Sequence, residues 1–136
     1  MPMVYIQMHE GKDAAYKKSV SEGIHVAMMD VLGVPHDTWD QFFNEHIPGN
    51  MVYDPNYFGV PRTPDMMFIH FFFNTRPKDM KERFFEKVAD ELTARAGLRR
   101  EDLLMAITEV PWENWWAYGR TVDPKTGFDT RMKGQG

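Results

Sequence analysis

One spacing constrains this chain more than any other property: the landmarks of its first half recur 64 residues later. Gly33 and Gly97 are 64 apart, as are Val34 and Leu98, Ile24 and Val88, Val20 and Phe84, Tyr16 and Met80, and Lys12 and Arg76. Each glycine stands just past an apolar stripe of helical spacing, where a residue free to take a positive φ ends a helix. The first stripe is Tyr16, Val20, Ile24, Ala27, Met28 and Val31; the second is Met80, Phe84, Val88 and Leu92. Pro35 keeps the first helix from resuming. Strand-like segments flank both stripes. Residues 3–8 alternate Val4, Ile6 and Met8 with Tyr5 and Gln7, and 66–73 (MMFIHFFF) is a nearly unbroken apolar run, read as a central strand buried on both faces. Residues 103–110 (LLMAITEV) form another candidate strand, and 41–46 (QFFNEH) a short one.

The expected fold is therefore α+β: duplicated β-α-β units, about residues 2–46 and 66–110, with two helices packed on one mixed sheet. Right-handed crossovers make the strands within each unit parallel. HIPGN and YDPNYFGVPRTP, between the halves, are turn sequences. The two units form one domain over residues 1–119, and the polar, glycine-containing stretch 120–136 is expected to be an extended arm or tail.

Composition narrows the function. A net charge of −4 without a basic stripe argues against a nucleic-acid partner. The absence of cysteine excludes disulfides, thiolate nucleophiles and zinc–sulfur sites. No apolar run approaches the roughly 20 residues of a membrane helix, so no membrane partner is expected, and a cytoplasmic location is the default. His25 lies near the apolar side of the first helix, and His36, His46 and His70 are scattered without ligand spacing; neither a metal nor another cofactor is expected.

Three groups of residues carry possible chemistry. Removal of Met1 would leave Pro2 as a free secondary amine. An α-amino group titrates near about 8, and an apolar pocket or nearby cations lower that value, leaving a neutral base poised for proton transfer. Lys12, Arg76 and Lys78 each stand between a strand and a helix. A cation there opposes the helix dipole, which points to a use such as pairing with a carboxylate substrate. Trp112, Trp115, Trp116 and Tyr118 form an aromatic cluster suited to packing, to a subunit interface, or to the wall around an amine. Asp37 and Asp40 flank Thr38 and Trp39 in a turn, where acids usually cap or shape the chain.

Together the start PMVYIQMHEGK, the helix end GVP, the segment EHIPGNMVYDPNYFG, the second-half RPK and the ending NWWAYG resemble the tautomerase superfamily. The resemblance runs from Pro2 to about Gly119. It is nearest the long-chain members, particularly the malonate semialdehyde decarboxylase group. It implies a homotrimer and a cofactor-independent enzyme acting on a small carboxylate substrate, with Pro2 and Arg76 catalytic. Lys12 and Lys78 take the places of further substrate-binding arginines, and Trp116 and Tyr118 match an aromatic wall. The expected reaction is keto–enol tautomerisation of a small oxo acid. The alternatives are a decarboxylase, hydratase or dehalogenase, or a cytokine-like protein-binding member. This chain has Thr38 where the decarboxylase group has an aspartate; Asp37 is adjacent, and both are candidate substrate contacts. Lysine in place of arginine at 12 and 78 removes bidentate geometry, which points to a substrate unlike those of known members.

Overall fold

The computed structural model describes residues 2–123 and 125. The first unit is strand β1 (Met3–His9), helix α1 (Ala14–Ala27) continued by one π-helical turn (Met28–Leu32), and strand β2 (Gln41–His46). A small hairpin, β3 (Asn56–Tyr57) and β4 (Val60–Pro61), follows. The second unit is β5 (Met67–Phe73), α2 (Lys78–Ala96) and β6 (Leu103–Glu109), closed by a second hairpin, β7 (Trp116–Ala117) and β8 (Arg120–Thr121). The four long strands form one sheet in the order β2-β1-β5-β6. β1 and β2 are parallel, as are β5 and β6, while β1 and β5 run antiparallel. Two copies of one unit thus meet back to back across the central pair.

Both helices stop where the glycines foretold: Gly33 and Gly97 take left-handed φ angles of 69° and 68°. At those angles a side chain's Cβ would crowd the carbonyl, so glycine ends the helix without strain. Asp13 caps α1 by accepting from the Tyr16 amide at 2.8 Å. The two stripes interlock over one face of the sheet. Val20, Ile24, Ala27, Met28, Phe84, Val88 and Leu92 are buried against Val4, Ile6, Met67, Ile69, Phe71 and Phe73. Tyr16, Val31 and Met80 pack at the margin. Gly23 lets the helices approach: a Cβ there would lie 3.1 Å from a Leu92 methyl and 3.3 Å from the Glu91 Cβ.

The 66–73 run is not buried on both faces within this chain. Residues of β5 alternate between fully and partly buried, because both helices lie on the same side of the sheet. The other side carries Tyr5, Phe42, Phe68, His70, Phe72 and Leu104. Rings meet across it, Tyr5 against Phe42 at 5.4 Å and against Phe72 at 5.5 Å, with His70 stacked on Phe72 at 4.2 Å. Phe42 and Leu104 are each 47% exposed. The arm expected from residue 120 opens as β8, and Val122 is buried. The rest of that stretch, apart from residues 123 and 125, lies outside the described residues, as does Met1. No described helix is long and apolar enough to cross a membrane.

Two buried polar groups give measurable expectations. Asp102, just before β6, is 1% exposed and accepts from the Thr63 amide and hydroxyl, each at 2.7 Å. Asp102→Ala strands these donors and is expected to cost about 2–4 kcal/mol in urea unfolding. His25 is buried against Trp39, with ring centroids 3.8 Å apart, and its Nε2–H donates to the His36 carbonyl at 2.9 Å. Burial lowers the imidazole from its ordinary 6.5, with the His36 bond opposing. The folded chain then binds fewer protons at this site than the unfolded chain. Its contribution is whole above the unfolded value and is lost as pH falls from about 6.5 toward the lower folded value. Part of the decline in the urea midpoint below pH 6.5 is expected to disappear in His25→Gln.

Candidate active site

The topology gathers chemistry at one end of the sheet. Residues before β1 and before β2 share that end, because those strands are parallel. Residues after β5 and after β6 join them, because β5 runs antiparallel to β1, with Met3 opposite Phe72. Pro2, Asp40, Asn74–Arg76 and the whole segment from Val110 to β8 are therefore neighbours although they span the sequence.

At this end Pro2 is buried and lines a cavity of about 270 Å³ together with Met3, Asp40, Phe42, Trp115, Trp116, Ala117 and Tyr118. The wall is aromatic. The β7–β8 hairpin holds it in place: the Trp115 indole N–H donates to the Val110 carbonyl at 3.2 Å, and the Val122 amide reaches the Trp115 carbonyl at 3.4 Å. Tyr118 and Gly119 form the two-residue turn, with φ angles of 49° and 109°. Positive φ at both positions matches the right-handed twist of the hairpin. The Tyr118 hydroxyl donates to an Asp40 carboxylate oxygen, and that bond raises the phenol's pKa.

Arg76 lies at the same end of the sheet, in the link from β5 to α2, and is not among the residues that line this cavity. Its backbone N–H donates to Glu109 Oε2 at 2.7 Å, and its guanidinium lies 5.9 Å from the Phe73 ring and 3.4 Å from the Asn74 and Thr75 carbonyls. Burial lowers the Arg76 pKa and Glu109 opposes that shift; an arginine remains a cation all the same. Glu109 is held as a carboxylate chiefly by Lys81, 2.9 Å away, and by the Arg76 amide. Asn74, 5% exposed, keeps its side-chain oxygen without a partner among the described residues.

The other sequence candidates lie elsewhere within one chain. Lys78 opens α2, is 90% exposed and pairs with Glu82 at 3.7 Å. Lys12 is at the opposite end of the sheet, 2.8 Å from Asp65 and 5.0 Å over the Tyr16 ring. Its shared register with Arg76 is the reason: antiparallel pairing of β1 with β5 sends matching positions of the two units to opposite ends. There a second groove, lined by His9, Lys12, Tyr16, Asp65 and Met66 among others, mirrors the Pro2 cavity. The Tyr16 phenol there is pushed up to about 12 by burial, and then by Asp65 and Asp102. Asp37 is exposed and Thr38 half-buried in the turn before β2, and neither lines the Pro2 cavity. Asp40 does, although the sequence suggested only a turn role for it. The usable signal was its place immediately before β2, since the start of a parallel neighbour lies beside the start of β1.

A family model described as "Tautomerase enzyme" matches residues 40–117, and a second of the same description matches residues 2–60. The probable tautomerase YusQ of Bacillus subtilis (strain 168) is 28% identical over 116 residues, spanning 85% of this chain and 91% of that one. The probable tautomerase YrdN of the same organism is 24% identical over 115 residues, spanning 85% and 89%. Among solved structures, malonate semialdehyde decarboxylase, described for decarboxylase and hydratase activities, superposes with a TM-score of 0.80. It is 25% identical, with 87% of this chain and 91% of that one covered. A fused 4-OT, solved as a symmetric trimer, shares the fold at a TM-score of 0.71 and 14% identity, with 88% and 94% covered.

Proposed function

The chain belongs to the tautomerase family, and on that footing we propose that it catalyses keto–enol tautomerisation of a small oxo acid, with the Pro2 amine, freed by removal of Met1, as acid–base group. The observation that carries this reading is the position of Pro2: buried, in an aromatic-walled cavity, at the sheet end where Arg76 follows β5. The neutral amine takes a proton from the carbon beside the carbonyl. The C–H electron pair becomes the carbon–carbon double bond, and the carbonyl π pair moves to oxygen. The same proton then passes from nitrogen to oxygen. Arg76 holds the carboxylate and offsets the enolate charge. Trp116 and Tyr118 exclude water. Lys78 stands on the same side of the molecule as Arg76 and serves as an auxiliary cation. Lys12, at the far end, reaches a cavity only from a neighbouring copy.

Decarboxylation or hydration of an oxo or unsaturated acid is the second reading, supported by the likeness to malonate semialdehyde decarboxylase. Thr38 cannot ionise and does not line the cavity, so the position that carries an aspartate in that group supplies no carboxylate here.

We further propose a homotrimer. Its support is the helix-free sheet face, where Tyr5, Phe42, Phe68, Phe72 and Leu104 would otherwise meet water.

Assay of phenylpyruvate and oxalocrotonate analogues alongside an oxo-acid decarboxylase substrate separates the two reactions. Enol-to-keto conversion is expected to dominate and to rise with pH as the amine loses its proton. Pro2→Ala, which keeps a free amine without the ring, is expected to lower activity partly, and acylation of the amine to abolish it. Full activity after acylation would overturn the reading. Arg76→Ala is expected to lower kcat/KM for a carboxylate substrate by about 2–4 kcal/mol of transition-state stabilisation, with little change in thermal stability; unaltered kinetics would remove Arg76 from the site. Light scattering is expected to give three times the mass of one chain at micromolar concentration, and a monomer would defeat the assembly proposed.

A further inference from the structure

The Pro2 cavity holds one carboxylate that the reaction above does not use. Asp40 lines it among Phe42, Trp115 and Trp116, and its backbone carbonyl accepts from the Val4 amide at 2.9 Å, which ties it to β1 two residues from Pro2. Its carboxylate is held by the Tyr118 hydroxyl. Resting on the assignment of Pro2 as the acid–base group, we propose that Asp40, held by Tyr118, is the counter-charge for the Pro2 ammonium and sets where that amine titrates.

The duplicated architecture supplies an internal comparison. The strand register, Val4 opposite Gln41 and its repeat Phe68 opposite Leu104, puts Leu103 in the place of Asp40; the second unit's nearest aspartate, Asp102, falls one residue earlier. Asp102 is sealed by Thr63, whose amide and hydroxyl take both its oxygens, and Thr63 also accepts from the amide of Met66, the residue 64 positions after Pro2. In the second unit the aspartate is a structural tie beside an ordinary peptide nitrogen. In the first unit the nitrogen belongs to the chain's second residue, and the aspartate faces a cavity. The hairpins differ in the same sense. β3–β4 repeats the turn with Phe58 at φ 47° and Gly59 at φ 81°, so an aromatic residue at positive φ belongs to the duplicated turn. Phe58 has no hydroxyl and is 89% exposed, whereas the residue at the matching turn position, Tyr118, reaches a carboxylate.

The reaction requires such a partner. Between taking the proton from carbon and releasing it to oxygen, Pro2 is an ammonium inside aromatic walls, and desolvation disfavours that charge. A carboxylate in the same cavity opposes the loss. The amine can then both accept and release the proton near neutral pH, the condition for efficient transfer in both directions. Within the cavity the titratable neighbours are Asp40 and Tyr118; around the same sheet end stand Arg76, Lys78, Lys81, Glu109 and Arg120. Arg76 works against the ammonium, and Glu109 is committed to Lys81 and to the Arg76 amide. The placement also orients the substrate: its carboxylate is repelled by Asp40 and turned toward Arg76, which leaves the reacting carbon over Pro2.

The test is a nitrogen-15 NMR titration of Pro2, without substrate, in protein shown by mass spectrometry to lack Met1 and otherwise whole, for the wild type, Asp40→Asn, Tyr118→Phe and the distant Asp90→Asn, with pH–rate profiles for the same set. Asp40→Asn is expected to lower the amine's midpoint by about one pH unit or more and to move the acid limb of the rate profile with it. It should reduce kcat without raising KM. Tyr118→Phe, which frees the carboxylate without removing it, is expected to shift both in the same direction by less, and Asp90→Asn to shift neither. A Pro2 midpoint unchanged in Asp40→Asn, or unchanged in Tyr118→Phe should the first variant fail to fold, would overturn the proposal. The NMR midpoint is read without turnover. A shift there alongside activity that survives acylation of Pro2 would therefore defeat the catalytic assignment while leaving the electrostatic coupling standing.

Discussion

The antiparallel pairing of β1 with β5 is the contact on which the rest of the structure depends. It runs from Met3 opposite Phe72 to Met8 opposite Met67, and it is the only long-strand pairing between the two units among the described residues. Each unit by itself has two parallel strands and one helix, too little to bury its stripe. Joined at this seam, the units present one continuous apolar face, and the two helices cover it side by side. The seam also decides where chemistry goes. It turns the second unit end for end, so the loop after β5 arrives beside the residue before β1.

The same arrangement leaves the sheet half covered. Phe68, His70 and Phe72 alternate along β5 with Met67, Ile69, Phe71 and Phe73, and only the second set meets the helices. An apolar run of this kind satisfies the core on one side and leaves rings on the other. Phe72 meets Tyr5 edge to face, Tyr5 meets Phe42 in the same way, and the His70 ring nitrogen and Thr108 hydroxyl bond at 2.7 Å, so the open face is ordered within one chain. An exposed apolar face of this kind usually marks an interaction surface.

The duplication is close in backbone and divergent in chemistry. Gly33 and Gly97 end their helices with nearly the same φ, and the Phe58–Gly59 and Tyr118–Gly119 turns repeat one geometry. Against that likeness stand the differences. Met66 occupies the place of Pro2, Arg76 that of Lys12, and Leu103 that of Asp40, which faces a cavity. Backbone form survives because both cores need the same glycines and stripes. The side chains at the two ends of the sheet are free to differ, because neither core depends on them.

Much of this was legible in the residues alone. The 64-residue register, the helix stops at Gly33 and Gly97 and the stripes from Val20 to Met28 and Phe84 to Leu92 identify the two units, because periodicity and backbone freedom are local properties of a sequence. Pro2, Trp116 and Tyr118 were also marked as candidates, and they do line one cavity. What the residues could not supply was the direction in which the units meet. Lys12 and Arg76 share a register and so looked like one cluster, yet the antiparallel seam sends them to opposite ends. Asp40 read as a turn residue because its partner Tyr118 is 78 positions away, and the 66–73 run read as buried twice because apolarity does not say which face a helix covers. The elements follow from forces between residues a few positions apart. The site follows from which strand edges pair, and that is decided by the burial of both apolar faces together.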